Sequence, residues 1–374
     1  MSKFIYFPSF SAGEYGDKLK KNFRFRNGRS CRFYSNEMEE KYRHPEVLIT
    51  AGAHFKTDEY RNALGLTDEN LVMGDSGGYQ IASGAMKWDI KHRDRIFTWL
   101  ETNTDIAMNL DIPPRLKYQG KYAECLQIST YMHWYKQVKD FPFYGWGIGG
   151  CGGSLYRFMS GVVALLSGKE HLKDNVKYIH ILGTSKIRDF LMLTQLSKSL
   201  KEVGSKAIIT TDSSSPDRAV VFGTFYTNFS IKRGTFESVN FPNEKHQGDI
   251  INEFNELTNR QWPRLTEFDD EIAKTVDWSD VVNWNPDCTI GMRMHNFYLF
   301  KDAIKQIDYY INGHDYILEQ VVDKDVYKVL KSIDEMVKSD NPVAVFEKYK
   351  HLYSKLSNTK KDSIVGDTNK FFNL

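Results

Sequence analysis

Two acidic residues stand out for what surrounds them. Asp75 closes the apolar run "NLVMG" and precedes Ser-Gly-Gly; Asp212 closes "KAIITT" and precedes three serines. Small residues after a carboxylate let a ligand approach the backbone. Two carboxylates at one strand-end rim suit chemistry at a sugar anomeric carbon. One attacks or stabilises the oxocarbenium-like centre, while the other, its pKa raised, gives a proton to the leaving group and later takes one back. Tyr79 and Gln80 follow Asp75 closely. They add a ring to stack on a flat base and an amide to read its edge. The structural alternative for Asp75 is a helix N-cap, and on these residues alone the choice stays open.

The elements that must carry these side chains are legible as short apolar runs. Seven segments are rich in Val, Ile, Phe and Tyr and end in small or polar residues: 4–10, 46–53, 70–78, 105–111, 143–150, 176–183 and 206–215. They read as strands. Between them, 122–138, 154–168 and 187–204 show apolar residues at helical steps, the last stopping at Gly204. Near-continuous apolar strands alternating with helices predict a parallel sheet covered on its outside. The count points to an irregular (β/α)8 TIM-like barrel one strand short, with a doubly wound sheet as the alternative. In either fold the reacting residues gather at the C-terminal ends of strands, where Asp75, Asp111, Gly149, Gly150, Gly183 and Asp212 all fall. Past about residue 240 the chain turns charged and helical. We therefore divide it into a catalytic barrel core, 1–240, and a mostly helical region, 241–374, that completes and extends it.

Composition narrows the class. The 374 residues hold 50 Lys and Arg against 48 Asp and Glu, a net charge of +2 that neither demands nor excludes nucleic acid. Distribution says more. Segment 18–43 interleaves Lys18, Lys20, Lys21, Arg24, Arg26, Arg29 and Arg32 with Phe23, Phe25, Phe33 and Tyr34. It follows the first strand, so it should lie on the catalytic rim, with cations for phosphate and rings for bases. The alternative is a solvated loop anchored by its aromatics. The four cysteines are far apart and form no C-x-x-C pair. No segment approaches the length of a membrane helix and no leader pattern opens the chain, so a cytoplasmic protein is expected.

"DSGGYQIASG" resembles the signature of the tRNA-guanine transglycosylases, which exchange a guanine base for a 7-deazaguanine without breaking the backbone. Further pieces follow in that family's order: "DIAMNLDIPP", "FYGWGIGG", "YIHILG", "TTDSSSPDRA" and "MHNFYLFKDAI". The likeness spans roughly residues 4 to 305. It implies that Asp212 is the nucleophile, forming a covalent glycosyl-enzyme, and that Asp75 is the general acid/base. It further implies that Asp111 accepts from the base's N1–H and 2-amino group, that Tyr79 and Leu182 sandwich the ring, and that Gly149 and Gly150 present backbone N–H groups. Ser76 and Gln80 belong to the same pocket, and Arg218 lies near the nucleic acid backbone.

Departures from the pattern refine the expectation. The family's zinc triplet of cysteines is missing: Cys288 and His295 are separated by six residues with no other cysteine nearby. Two ligands do not close a structural zinc site. We expect no metal and no cofactor, and read His295 as a helix-start residue. Only one glycine-rich strand end, "GWGIGGCGG", is present, and Ile148 stands where one alignment would have a base-contacting Gln. Loss of the zinc region, which helps hold a folded tRNA, points to the phage and bacterial branch that inserts 7-deazaguanines such as preQ0 into DNA. DNA is the expected partner, bound through Arg24, Arg26, Arg29 and Arg218. The alternatives are the same exchange on tRNA and a non-catalytic nucleic acid-binding protein.

Overall fold

A computed structural model describes residues 4–10, 14–25, 28–40, 42–77, 90–108, 131–132, 135–136, 138–149, 154–240 and 286–357. The expected Tyr79, Gln80, Asp111, Gly150 and Arg26, and most of the helix expected over 122–138, lie outside them.

Each of the seven apolar runs contains a strand: β1 (Ile5–Pro8), β2 (Glu46–Thr50), β3 (Leu71–Asp75), β4 (Ile106–Ala107), β5 (Gly145–Ile148), β6 (Tyr178–Ile181) and β7 (Ile208–Ser213). β1, β7, β6 and β5 form one parallel sheet in that order, and β2, β3 and β4 another. A parallel bridge between Ser9 and Leu48 joins β1 to β2. Neighbours therefore run β5-β6-β7-β1-β2-β3-β4, with the first strand at the centre. No closed barrel is present among the described residues.

The outward face of this array is apolar, and the inward face carries an apolar cluster on β1, β2 and β3. Outward, Tyr6, Trp146, Ile148, Ile179, Ile181 and Ile209 pack on the helices Leu155–Ser167 and Ile187–Glu202. Inward, Phe7, Leu48 and Met73 form a separate buried cluster edged by Ile5, Leu71, Ile106 and Met108. Local chemistry ends the helices cleanly. Ser154 caps Leu155–Ser167 by accepting from the Arg157 N–H, and Gly204, at φ +81°, follows Ile187–Glu202.

The helical C-terminal region is present as Pro286–Asn312, Asp315–Val321, Lys324–Lys338 and Pro342–Ser357. Val326, Val329, Leu330, Phe346 and Tyr353 share one continuous core with the outward face of β5, β6 and β7. The second apolar core lies under β2 and β3.

Two features depart from expectation. Residues 51–53 are not a continuation of β2 but open the short helix Ala51–His54. A β-hairpin, β8 (Thr224–Ser230) with β9 (Thr235–Asn240), follows β7 where no strand was expected. Its signal was the alternation in "TFYTNFS" and the turn glycine Gly234, which sits at φ +67°.

Candidate functional site

Strand register decides which side chains meet. In parallel pairs, partners in register point to the same face. Gly147 pairs with His180, His180 with Thr210, and Phe7 with Asp212. Across the bridge, Ser9 pairs with Leu48, and Thr50 with Asp75. Since alternate residues share a face, Ser9, Thr50, Asp75, His180, Leu182, Thr210 and Asp212 all point inward. Asp75 and Asp212 lie at the C-terminal ends of their strands, above the Phe7–Leu48–Met73 floor. Both are half-buried, as are Ser9, Thr50 and Leu182, so this rim is open to solvent. Three strand steps, about 14 Å across the strands, separate the two carboxylates, and the register adds four residues, about 13 Å along the strands, before curvature and tilt shorten the distance.

Asp212 is tightly held. Its Oδ1 accepts from the Gly183 N–H at 2.9 Å and from His180 Nε2 at 3.1 Å. His180 Nδ1 lies 2.8 Å from Thr210 Oγ1. Gly183 can aim its N–H inward because it sits at φ +68°, a conformation glycine adopts without strain. The loop carrying it is stapled to β7. Thr211 Oγ1 donates to the Ile181 carbonyl at 2.6 Å and contacts Thr184 Oγ1 at 2.6 Å. The serines after Asp212 belong to the same staple. Ser213 Oγ donates to Ser215 Oγ, and Ser215 Oγ to Ser185 Oγ, each at 2.9 Å. They thus do more than leave room for a ligand. On the opposite face, Tyr6 donates to the Ser213 carbonyl at 3.0 Å. Burial, helped by the Asp212 charge, pushes this phenol well above its usual range and keeps it neutral.

Asp75 takes one of its bonds from close by in the chain. Its Oδ1 accepts from the Gly77 N–H at 3.2 Å in an Asx turn, and Gly77 itself sits at φ +88°, a conformation that favours glycine. The first glycine of the pair after Ser76 is thereby explained. Ser76 itself is fully buried beside it.

On the glycine-rich strand end, Gly145 has no room for a side chain, since a β-carbon there would lie 2.8 Å from the Tyr178 carbonyl. Among the described residues nothing lies within 4 Å of a β-carbon placed on Gly149, and its carbonyl accepts from the Tyr131 hydroxyl at 2.9 Å. Leu182 lies across from it, its N–H bonded to the Ile148 carbonyl at 3.1 Å.

The basic segment after β1 differs from the expectation of base-stacking rings. Phe25, Phe33 and Tyr34 are buried in the second core, and the aromatics there anchor the loop. Phe23 packs against that core with Lys18 over its ring. Arg32 is a clamp, donating to the carbonyls of Leu19, Lys20 and Ala63. Arg24 pairs with Glu37 and Arg29 with Glu39, both on the surface, where such pairs are weak. Arg218 is exposed on the helix Ser215–Val221, its guanidinium 5.4 Å from the ring of the solvent-facing Phe222.

His295 is not at a helix start. It lies well inside Pro286–Asn312, buried, with Nε2 2.8 Å from the Tyr226 carbonyl. Asn296 beside it accepts from the Tyr226 N–H and donates to the Pro216 carbonyl. The pair ties the hairpin and the helix after β7 to the long C-terminal helix.

His180 and Thr210 are the functional candidates that motif reading missed. The signal was available. Tyr178, His180 and Leu182 share one face of a period-two strand, and Thr210 shares the face of Asp212.

The fold and site together define a mixed α/β protein with parallel sheets, C-terminal helices and two inward carboxylates at one strand-end rim. No family model and no curated protein matches the chain.

Proposed function

We propose that this protein exchanges guanine in DNA for a 7-deazaguanine by double displacement, with Asp212 as nucleophile and Asp75 as general acid/base. The observation that carries the reading is the register argument: two carboxylates, separated by well over a hundred residues of chain, share one face and one end of the strands. In the first half-reaction Asp212 Oδ2 bonds to C1′ of the nucleoside as the bond to guanine N9 breaks. Its electron pair leaves with the base, which Asp75 protonates. In the second, Asp75 takes a proton from the incoming base, whose nitrogen bonds to C1′ as the Asp212 ester bond breaks. Leu182, beside the Gly149 backbone, suits a flat base above an apolar floor.

We further infer that the strands close into a barrel between β4 and β5. Two facts support this. The neighbour order is the sequence order with β7 beside β1, as a closed ring of strands requires. From Asp212 to Asp75 the register climbs two residues at β1 and two more at β2. That is close to the roughly one residue per strand step of a tilted eight-stranded barrel with shear 8. The tilt brings both carboxylates to a similar height.

A guanine inside a duplex must be flipped out, at a cost of a few kcal/mol, or be taken from a single strand. DNA as the polymer rests on the missing cysteine triplet. Offering guanine-labelled DNA and guanine-labelled tRNA with preQ0 or preQ1 tests this reading. Loss of label from DNA is expected. Loss from tRNA alone would change the substrate, and loss from neither would remove the reaction.

A further inference from the structure

We infer that His180 is a positioning residue for Asp212, which selects the attacking oxygen and assists its departure in the second half-reaction. The inference rests on the reading above. Among the described residues both hydrogen bonds to Asp212, from Gly183 N–H and His180 Nε2, fall on Oδ1. Oδ2 is left for the sugar, on a side chain 19% exposed. The His180 ring is buried and cannot reach solvent.

A carboxylate oxygen only accepts, so Nε2 carries the hydrogen. In the neutral ring Thr210 Oγ1, 2.8 Å from Nδ1, is then the donor to the other ring nitrogen and holds that tautomer. Thr210 is fully buried and in register with His180, so the ring cannot swing away. The chain Thr210–His180–Asp212 thus presents a fixed N–H to Oδ1.

The consequence differs between the two steps. While Asp212 is an ester through Oδ2, Oδ1 is a carbonyl oxygen carrying little charge. As the C1′–Oδ2 bond breaks, the electron pair returns to the carboxylate and spreads onto Oδ1. The His180 N–H bond strengthens as that charge develops, so it favours release of the sugar to the incoming base. No other reactant is needed.

The test uses the full chain, a guanine-containing DNA oligonucleotide and labelled free guanine as incoming base. Exchange rate, KM for DNA and the fraction of protein covalently bound to DNA after denaturant quench are measured together. For H180L we expect exchange to fall about ten- to a hundredfold at unchanged KM, given that the Gly183 donor remains. The trapped adduct fraction should rise, because its breakdown slows more than its formation. H180Q, which offers an amide N–H, should recover part of the loss. If H180L does not fold, T210V carries the test: it keeps the ring and removes the tautomer lock, and should raise the adduct fraction in the same sense, while T210S behaves as the parent. Parental exchange in H180L, a loss confined to KM, or an unchanged adduct fraction in T210V would overturn the inference. If the parent forms no adduct, or D212N still forms one, the double-displacement reading itself fails, and this assignment with it.

Discussion

The two halves of the strand array back their carboxylates with different structure. Around β7, Asp212 is fixed by residues from two strands and a stapled loop, and that half is backed by two layers of helix. Around β3, Asp75 takes a bond from Gly77 two residues on, and the strand is backed by aromatic rings from the segment after β1. The fixed setting of Asp212 suits its proposed role. A nucleophile must present one oxygen along one line to C1′, and misplacement by about 1 Å costs on the order of a hundredfold.

The largest effect that would break this comparison is chemical. D212N should abolish both the covalent adduct and exchange, a loss of at least about a thousandfold. D75N should slow exchange about a hundred- to ten-thousandfold while still allowing adduct to accumulate at Asp212. Quench gels and label release measure both. An adduct in D212N, or none in D75N after long incubation, would reverse the roles.

The next effect is on packing. Phe346 is fully buried, and its ring stacks on Tyr353 at 5.2 Å. F346A should cost about 3–5 kcal/mol. Hydrogen exchange should then show protection lost first in β5, β6 and β7, with β2 and β3 less affected. Uniform loss would mean that the two cores unfold as one.

A third, pH-dependent effect belongs to the same helical half. Asp189, at the start of Ile187–Glu202, is buried, and burial pushes its carboxyl up to about 6 from an ordinary value of 3.8. The folded state therefore holds its proton more tightly than the unfolded chain. The resulting stabilisation is fully present below pH ~4 and is lost as pH rises through ~6, by up to about 3 kcal/mol. D189N should flatten this slope in urea unfolding between pH 4 and 7. An unchanged slope would move the effect elsewhere.

The smallest effect lies in the β3 half. Tyr34 donates to the Leu64 carbonyl at 2.9 Å within the second core, and Y34F should cost only about 1 kcal/mol. A larger loss of thermal stability would show that this half depends on a few polar ties rather than on its rings.

Much of this was legible in the chain. All seven inner strands lay within apolar runs, because a strand buried on both faces must be apolar almost throughout. Gly77 and Gly183 were visible as glycines after strands. The hairpin was not expected, because its half-polar alternation beside a charged stretch reads weakly next to the inner strands. The buried rings of segment 18–43 were ambiguous for a different reason. Phe25, Phe33 and Tyr34 have no periodicity that tells an anchor from a base-stacking surface; only a core beneath them decides.

By itself the sequence determined where the seven inner strands form, which glycines turn the chain after them, and that Asp75 and Asp212 end strands, since these follow from local sterics and the burial of short apolar runs. Only the tertiary structure decided that both carboxylates share a face, that His180 and Thr210 stand beneath one of them, and that His295 serves a backbone carbonyl. The first two outcomes depend on register between strands distant in the chain, where a shift of one residue would have turned each side chain to the other face, and the third depends on the long C-terminal helix packing against the hairpin.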